Sequence, residues 1–289
     1  MRIYTYSIPI STPLLPIAER RGLIFETKQG LGEAAPLPGW SKETILNILA
    51  SIEDPSAFPS AAFGMKCLEC PFPRSFPSIP LAALATNISE AENALNNGFK
   101  TLKIKVGHYS IPDALDLVWR VQRPHIQLRI DINRRWSFDE ALLFFNQLDP
   151  EGIEYIEEPT SDLRQLHQLP ALPIALDETL REPANNWIQL CNLHAFILKP
   201  TLLGSRLDFL IQLGQKLQKK LVFSSSFESA VGLLHIAHLH ARFSMKTAVG
   251  LDTHRFFMGN FFPMPVKNGM LCDTSLPPLD RSWLKKYVP

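Results

Sequence analysis

TLKIKVG, residues Thr101 to Gly107, reads as a buried β-strand, yet it carries Lys103 and Lys105. Side chains two residues apart share one face of a strand, so both ammoniums point the same way. A buried ammonium is costly unless a partner or a shifted pKa compensates it. The fold follows from what flanks this strand. Upstream, PLAALA (80–85) is another short apolar run. Downstream come LRIDIN (128–133), YIEEP (155–159), IALDE (174–178), AFILKP (195–200), LVFSSS (221–226) and KTAVGLD (246–252). Helical patterns lie between them: SEAENALNNG (89–98), IPDALDLVWRVQRP (111–124), SFDEALLFFNQLD (137–149) and SRLDFLIQLGQKLQK (205–219). Alternating β and α units predict a parallel sheet, and eight strands predict a closed (β/α) barrel of the TIM type.

Each central strand ends in charged or polar residues. In order these are Lys103 and Lys105, Asp131 and Asn133, Glu157 and Glu158, Asp177 and Glu178, Lys199, and Ser224 to Ser226. Taken singly, each has an ordinary explanation: an Asp capping the next helix, a Lys on an exposed edge, a solvated E-E-P turn. Taken jointly, they recur about once per βα unit at one height, which places them around one barrel mouth, where such folds carry active sites. Carboxylates crowded there repel one another and raise each other's pKa, and a divalent cation removes that conflict. All-oxygen ligation without His or Cys points to Mg²⁺, with Mn²⁺ as a substitute. A substrate carboxylate bound to such a cation can lose its α-proton to a neutral lysine, giving an enediolate. Lys105 is the predicted base, and the neighbouring Lys103 charge lowers its pKa. Arg129 points along the same strand face as Asp131 but lies deeper, where it stabilises carboxylates.

The rest of the 289-residue chain frames this barrel. Residues 1 to about 50 read as an antiparallel sheet leading into a helix over 41–54, with Ser41 as its N-cap. Residues 55–78 are rich in Pro, Ser and Phe and read as a linker, although AAFGMKC (61–67) has the look of a helix. The run from 273 to 289 turns Pro-rich again and is expected to pack back on the N-terminal part. The predicted organisation is therefore α/β: a capping α+β domain with linker over 1–78, a modified barrel over 79–272 and a returning tail over 273–289. Net charge is +1, with no basic stripe, so neither nucleic acid nor a membrane surface is an expected partner. The N-terminus shows no clean signal peptide or spanning segment. Cys67 and Cys70 form a lone C-x-x-C without the second pair that a zinc site wants. Reduced thiols and a cytoplasmic address are the expectation.

The strand-end set resembles the enolase superfamily in its muconate-lactonizing-like branch. The residues that carry the likeness are KIK (103–105), RIDINRRW (129–136), YIEEP, IALDETLREP (174–183) and ILKPTLLGS (197–205). That resemblance implies Asp131, Glu157 and Asp177 as ligands of Mg²⁺, Glu158 behind them, and Lys105 and Lys199 as lysines facing each other across the substrate. GLGEAAPLPGWSKET (30–44), DINRRW, FSSSFESAVGL (223–233) and GLDT (250–253) resemble proteobacterial members of the branch that dehydrate a succinyl-bearing hydroxycyclohexadiene carboxylate to a benzoate in menaquinone biosynthesis. Asn133, Ser226 and Gly250 match positions that help hold that small-molecule substrate, and Trp40 is a candidate apolar lid. Ile132 and Arg135 depart from the smaller residues common in that motif. A dipeptide epimerase or N-succinylamino acid racemase of the same superfamily uses the same lysine pair and stays open. A ligand-binding barrel without catalysis would be expected to lose one of the five central residues. A Schiff-base aldolase accounts for Lys199 but not for the acids.

Overall fold

The computed structural model describes residues 1–288 except 52, 55, 56, 185, 186 and 245. Parts of the helix predicted over 41–54 and of the linker predicted over 55–78 lie outside the described residues, as does Pro289 of the tail. Along the chain, β1 (Arg2–Pro9), β2 (Glu19–Glu26) and β3 (Leu31–Ala34) precede helices α1 (Ile45–Ala50) and α2 (Pro59–Cys67). Then β4 (Ile79–Pro80) leads to β5 (Ala82–Ala85), α3 (Ile88–Asn96), β6 (Thr101–Lys105), α4 (Ile111–Val121), β7 (Gln127–Asp131), α5 (Phe138–Gln147) and β8 (Ile153–Glu157). A 3₁₀ turn separates β8 from β9 (Ile174–Leu176), and another follows β9. The chain continues with β10 (Leu193–Leu198), α6 (Pro200–Leu203), α7 (Arg206–Lys216), β11 (Lys220–Phe223) and α8 (Ala230–Ser244). It closes with β12 (Val266–Lys267), β13 (Met270–Leu271) and β14 (Leu284–Lys286).

Strands β5 to β11 form one parallel sheet in sequence order. The predicted eighth strand is reduced to single bridges: Val249 pairs with Leu81 and Gly250 with Ser224. Those bridges reach both edges of the sheet. The Ala82 N–H donates to the Val249 carbonyl and the Gly250 N–H to the Phe223 carbonyl, so residues 249–250 close the ring. Gly250 lies against Ser224, and a Cβ there would stand 2.6 Å from the Ser224 hydroxyl oxygen. The close approach leaves no room for a regular ladder with side chains on both partners.

Alternation decides which side chains face the mouth. Leu102, Ile104, Leu128, Ile130, Ile156 and Ile174 are fully buried in the layer shared with the helices. The intervening residues point into the ring, where Tyr155, Ala175, Ala195, Ile197 and Val222 form a small apolar plug. Each fully buried aliphatic side chain contributes about 1.5–3 kcal/mol. Helix α4 shows how a helix meets the layer. Ser110 caps its first turn, and Ala114, Leu117, Val118 and Val121 line one face at helical spacing.

The N-terminal strands form a separate antiparallel sheet in the order β14-β1-β2-β3. The tail strand pairs with the first, Tyr4 opposite Lys286 and Tyr6 opposite Leu284. Helix α2 packs on β3 through backbone contact, and a Cβ on Gly32 would overlap the Gly64 carbonyl. One local expectation is corrected and another is borne out. The N-cap of α1 is Thr44, in a capping box with Asn47. Ser41 instead accepts from the Leu37 N–H and closes the preceding turn. Within the predicted linker, residues 59–67 are helical because Pro59 sits in the first turn, where its missing N–H costs nothing. Among the described residues, no helix is long and apolar enough to cross a membrane.

Candidate active site

Parallel register puts the strand-end charges level. Lys105 is opposite Asp131, and Asp131 is opposite Glu157. Asp177 and Lys199 each follow the last residue of β9 and β10, continuing the same rim. Lys105 and Lys199 are four strands apart in a ring closed by an eighth segment, so they face each other across it.

Asp131 and Glu157 are buried, at 1% and 0% exposure. The Lys103 ammonium donates to both Glu157 oxygens at 2.6 and 2.7 Å and lies 3.0 Å from Asp131 Oδ2. Lys105 donates to the same Asp131 oxygen at 2.8 Å and to Asn133 Oδ1 at 2.7 Å. Lys199 donates to Asp177 Oδ2, and its ammonium lies 5.6 Å from the Trp40 ring centroid. Burial opposes the Lys103 charge, but Asp131 and Glu157 outweigh it and hold its pKa well above the usual lysine range. Burial likewise works against Asp131, and Lys103 and Lys105 together pull its pKa below the usual carboxylate range. Glu157 goes the other way, pushed up to about 7 by burial and by the Asp131 charge. Glu178 is pushed up to about 8 by burial and then by Asp177. Its Oε2 has no hydrogen-bond partner among the described residues.

No three acidic, histidine or cysteine side chains among the described residues point together as a ready metal cage. Ammoniums stand between the carboxylates instead. The donor set nevertheless fits a hard divalent cation. It is all oxygen, it comes one carboxylate per strand, and Glu157, raised first by burial, is raised further by the Asp131 charge.

The rim opens into a cavity of about 560 Å³ lined by Lys103, Lys105, Asn133, Lys199, Ser226 and Gly250 among others. Ser226 Oγ is buried and has no partner among the described residues. Asn133 adopts a left-handed φ of 53°, which turns its amide towards Lys105, and its N–H donates to Asp131 Oδ1 at 3.1 Å. Leu14, Leu37, Trp40 and Phe227 give the opposite wall an apolar surface. Arg129 lies below the mouth, donating to Glu154 at 2.6 Å and stacking 5.3 Å from the Tyr155 centroid.

Two supporting networks escaped the sequence reading. Glu158 was assigned only a place behind the ligands. In the structure it accepts from the Asp177 and Thr179 N–H groups, the Thr179 hydroxyl and Arg134 Nε, each at 2.8 Å. Arg20, buried in β2, spends its donors on backbone carbonyls of Ala35 and Pro36 in the cap and of Ser226 and Phe227 in the barrel. Glu33 accepts from Tyr6, Ser229 and Gly232, bridging β3 to the start of α8. No local pattern announces the bonds of Arg20 and Glu33 to the barrel, because those partners lie 196 to 207 residues away.

The pattern of the enolase C-terminal domain-like family matches residues 87–269. The chain belongs to that family. It is 33% identical to the o-succinylbenzoate synthase of Haemophilus influenzae, over 87% of this chain and 88% of the relative. Among solved structures it resembles the o-succinylbenzoate synthase of Thermosynechococcus elongatus BP-1 complexed with Mg in the active site. There the TM-score is 0.74 at 28% identity, over 90% of this chain and 93% of that one. It shares the fold of the L-Ala-D/L-Glu epimerase of Bacillus subtilis, with a TM-score of 0.77 at 19% identity over 96% and 97% of the two chains.

Proposed function

We propose that this protein is an o-succinylbenzoate synthase: a Mg²⁺-dependent lyase that removes water from 2-succinyl-6-hydroxy-2,4-cyclohexadiene-1-carboxylate to give 2-succinylbenzoate, in menaquinone biosynthesis. The observation that carries it is the pair Lys105 and Lys199 on opposite sides of a ring whose intervening strands each end in a buried carboxylate. The kinship with the Haemophilus synthase supports this choice within the family.

Asp131, Glu157 and Asp177 would hold the Mg²⁺. When bound, the cation supplies positive charge against the substrate carboxylate and so acidifies the adjacent C–H. Lys105 takes that proton as general base. The C–O bond on the same face then breaks, and protonated Lys105 returns the proton to the departing hydroxyl, releasing water and an aromatic ring. Lys103 keeps a second positive charge beside the base, on the Asp131 oxygen that Lys105 also uses. Lys199 stays a cation, held by Asp177 beneath Trp40, and balances negative charge that develops on the ring. A two-base epimerase would need Lys199 to shed its proton each turnover, and the kinship with the Haemophilus synthase favours the one-base reading. Asn133 orients Lys105, while Ser226 and Gly250 offer polar contacts to the substrate. Four free thiols and a net charge of +1 support a cytoplasmic enzyme of small molecules without nucleic acid or membrane partners.

An ultraviolet assay for 2-succinylbenzoate formation tests the reading. Turnover is expected only with Mg²⁺, and a loss of at least about 10²-fold is expected in Lys105→Ala. Robust turnover by Lys105→Ala, or turnover unaffected by a chelator, sinks it.

A further inference from the structure

The ring of strands has a seam where its eighth member falls short. Two rungs span it: the Val249 N–H donates to the Pro80 carbonyl at 2.8 Å, and the Ala82 N–H to the Val249 carbonyl at 2.9 Å. In a parallel ladder every second residue turns its N–H and C=O towards the same neighbour. Leu84 is therefore the next residue of β5 to face the seam, and a continued ladder would pair its N–H with the Leu251 carbonyl. That carbonyl is spent elsewhere. The chain enters a 3₁₀ turn over Asp252–Phe256, and Leu251 accepts from the His254 N–H at 3.3 Å and lies 3.1 Å from the His254 Nδ1.

Two side chains take the place of the missing strand. Asp252 Oδ2 accepts from the Leu84 N–H at 3.0 Å. Arg255 donates from Nη2 to the Leu84 carbonyl at 2.7 Å, and its Nε lies 3.1 Å from the same Asp252 oxygen. The carboxylate stands in for a carbonyl, the guanidinium for an N–H, and the ion pair between them fixes both. Resting on the synthase reading for the reaction served, we propose that Asp252 and Arg255 are positioning residues: a paired clasp that closes the barrel seam and holds Leu84 in the wall of the substrate cavity.

The place is one where a loose peptide would be felt. Leu84 is buried, and a buried peptide group left unpaired is strongly unfavourable. Its side chain packs with Leu37 of the cap, Leu202 after β10, Phe227 after β11 and Phe256 of the 3₁₀ turn, so four segments meet on it. The wall is thin here. Leu84 and Asp252 line the active-site cavity and also a second hollow of about 400 Å³ outside the ring, so little packing besides the clasp backs them. Arg255 is itself aimed by its neighbours. Its guanidinium lies 4.4 Å from the Phe256 ring centroid and 3.7 Å from Glu90 in α3. Glu90 is already occupied by the Thr86 N–H at 2.8 Å and the Thr86 hydroxyl at 3.1 Å, which leaves Asp252 as the nearer carboxylate partner of Arg255.

The test uses full-length enzyme with Mg²⁺ and reads kcat and KM for the substrate together with hydrogen exchange at the Leu84 amide. Arg255→Met keeps the stem against Phe256 and removes the donors. It is expected to raise KM about fivefold with kcat within about twofold, and to speed Leu84 exchange about tenfold. Arg255→Lys, a point charge without the fork, cannot span Asp252 and the Leu84 carbonyl together and restores only part of either. Asp252→Asn keeps an acceptor for the Leu84 N–H and has a smaller effect. Adding it to Arg255→Met should change little more, since the two act as one unit. Unchanged Leu84 exchange in Arg255→Met, faster exchange with KM unmoved, or losses that add fully in the double variant overturn the inference alone. A wild type without turnover overturns the synthase reading, and Leu84 exchange then decides the clasp by itself.

Discussion

Replacing Glu33 by Gln changes one atom and exposes how the cap is fastened to the barrel. Glu33 is buried at 1% exposure. Its Oε1 accepts from the Tyr6 hydroxyl and the Ser229 N–H at 2.9 Å; its Oε2 accepts from the Ser229 hydroxyl at 2.5 Å and the Gly232 N–H at 2.7 Å. A glutamine must put its NH₂ in one of those two places. Hydroxyls can turn to accept from it, but backbone N–H groups cannot. Either flip therefore leaves one N–H at the start of α8 facing another donor. A buried donor without a partner costs about 1–3 kcal/mol. Loss of a negative charge at a helix N-terminus adds about 0.3–1 kcal/mol, more where the site is buried. The expected total is about 3 kcal/mol. At about 2–3 °C per kcal/mol for a chain of this size, Tm should fall by roughly 6–9 °C. Thermal melts followed by circular dichroism at one scan rate measure it. A Tm within 2 °C of wild type would refute the argument that this carboxylate is an obligatory acceptor.

Two further outcomes follow from buried titratable groups. Glu158→Ala strips three hydrogen bonds from the turn that presents Asp177 and leaves Arg134 without its main partner. Removing one member of a buried pair costs about 3–5 kcal/mol, so a lower melting temperature and reduced turnover should appear together; wild-type values for both would contradict the proposed support role. Acid sensitivity should come from His235 and His240, whose pKa values burial lowers to about 4. Their stabilising effect is complete above the unfolded value of about 6.5 and is lost as pH falls towards 4, because the unfolded chain binds the proton first. At pH 5 this amounts to about 2 kcal/mol for each histidine. Urea unfolding at pH 7.5 and pH 5 measures the loss, and His240→Gln should reduce it; equal stability at both pH values would show the rings are not held neutral.

The barrel was legible because two periods coincide in the sequence. Alternation within each strand separates Leu102 and Ile104 from Lys103 and Lys105, and the βα repeat brings Asp131, Glu157, Asp177 and Lys199 to one level. The eighth strand was over-read. VGLD has the right composition, but the close packing of Gly250 on Ser224 allows only bridges. Ser41 was the wrong cap because a hydroxyl before a helical run serves a turn as readily as a helix. Arg20 and Glu33 had no signal at all. A charged residue inside an antiparallel strand looks solvent-facing until the other domain is placed over it.

Half-buried lysines are tolerated in the mouth because the chain supplies a counter-charge for each. Lys103, Lys105 and Lys199 meet Asp131, Glu157 and Asp177, three cations against three acids. With all three lysines protonated the set is neutral, and a divalent cation arriving with a dicarboxylate adds no net charge. Either alone would place net charge in a site walled by Tyr155, Ile197 and Val222, where the low dielectric magnifies the cost.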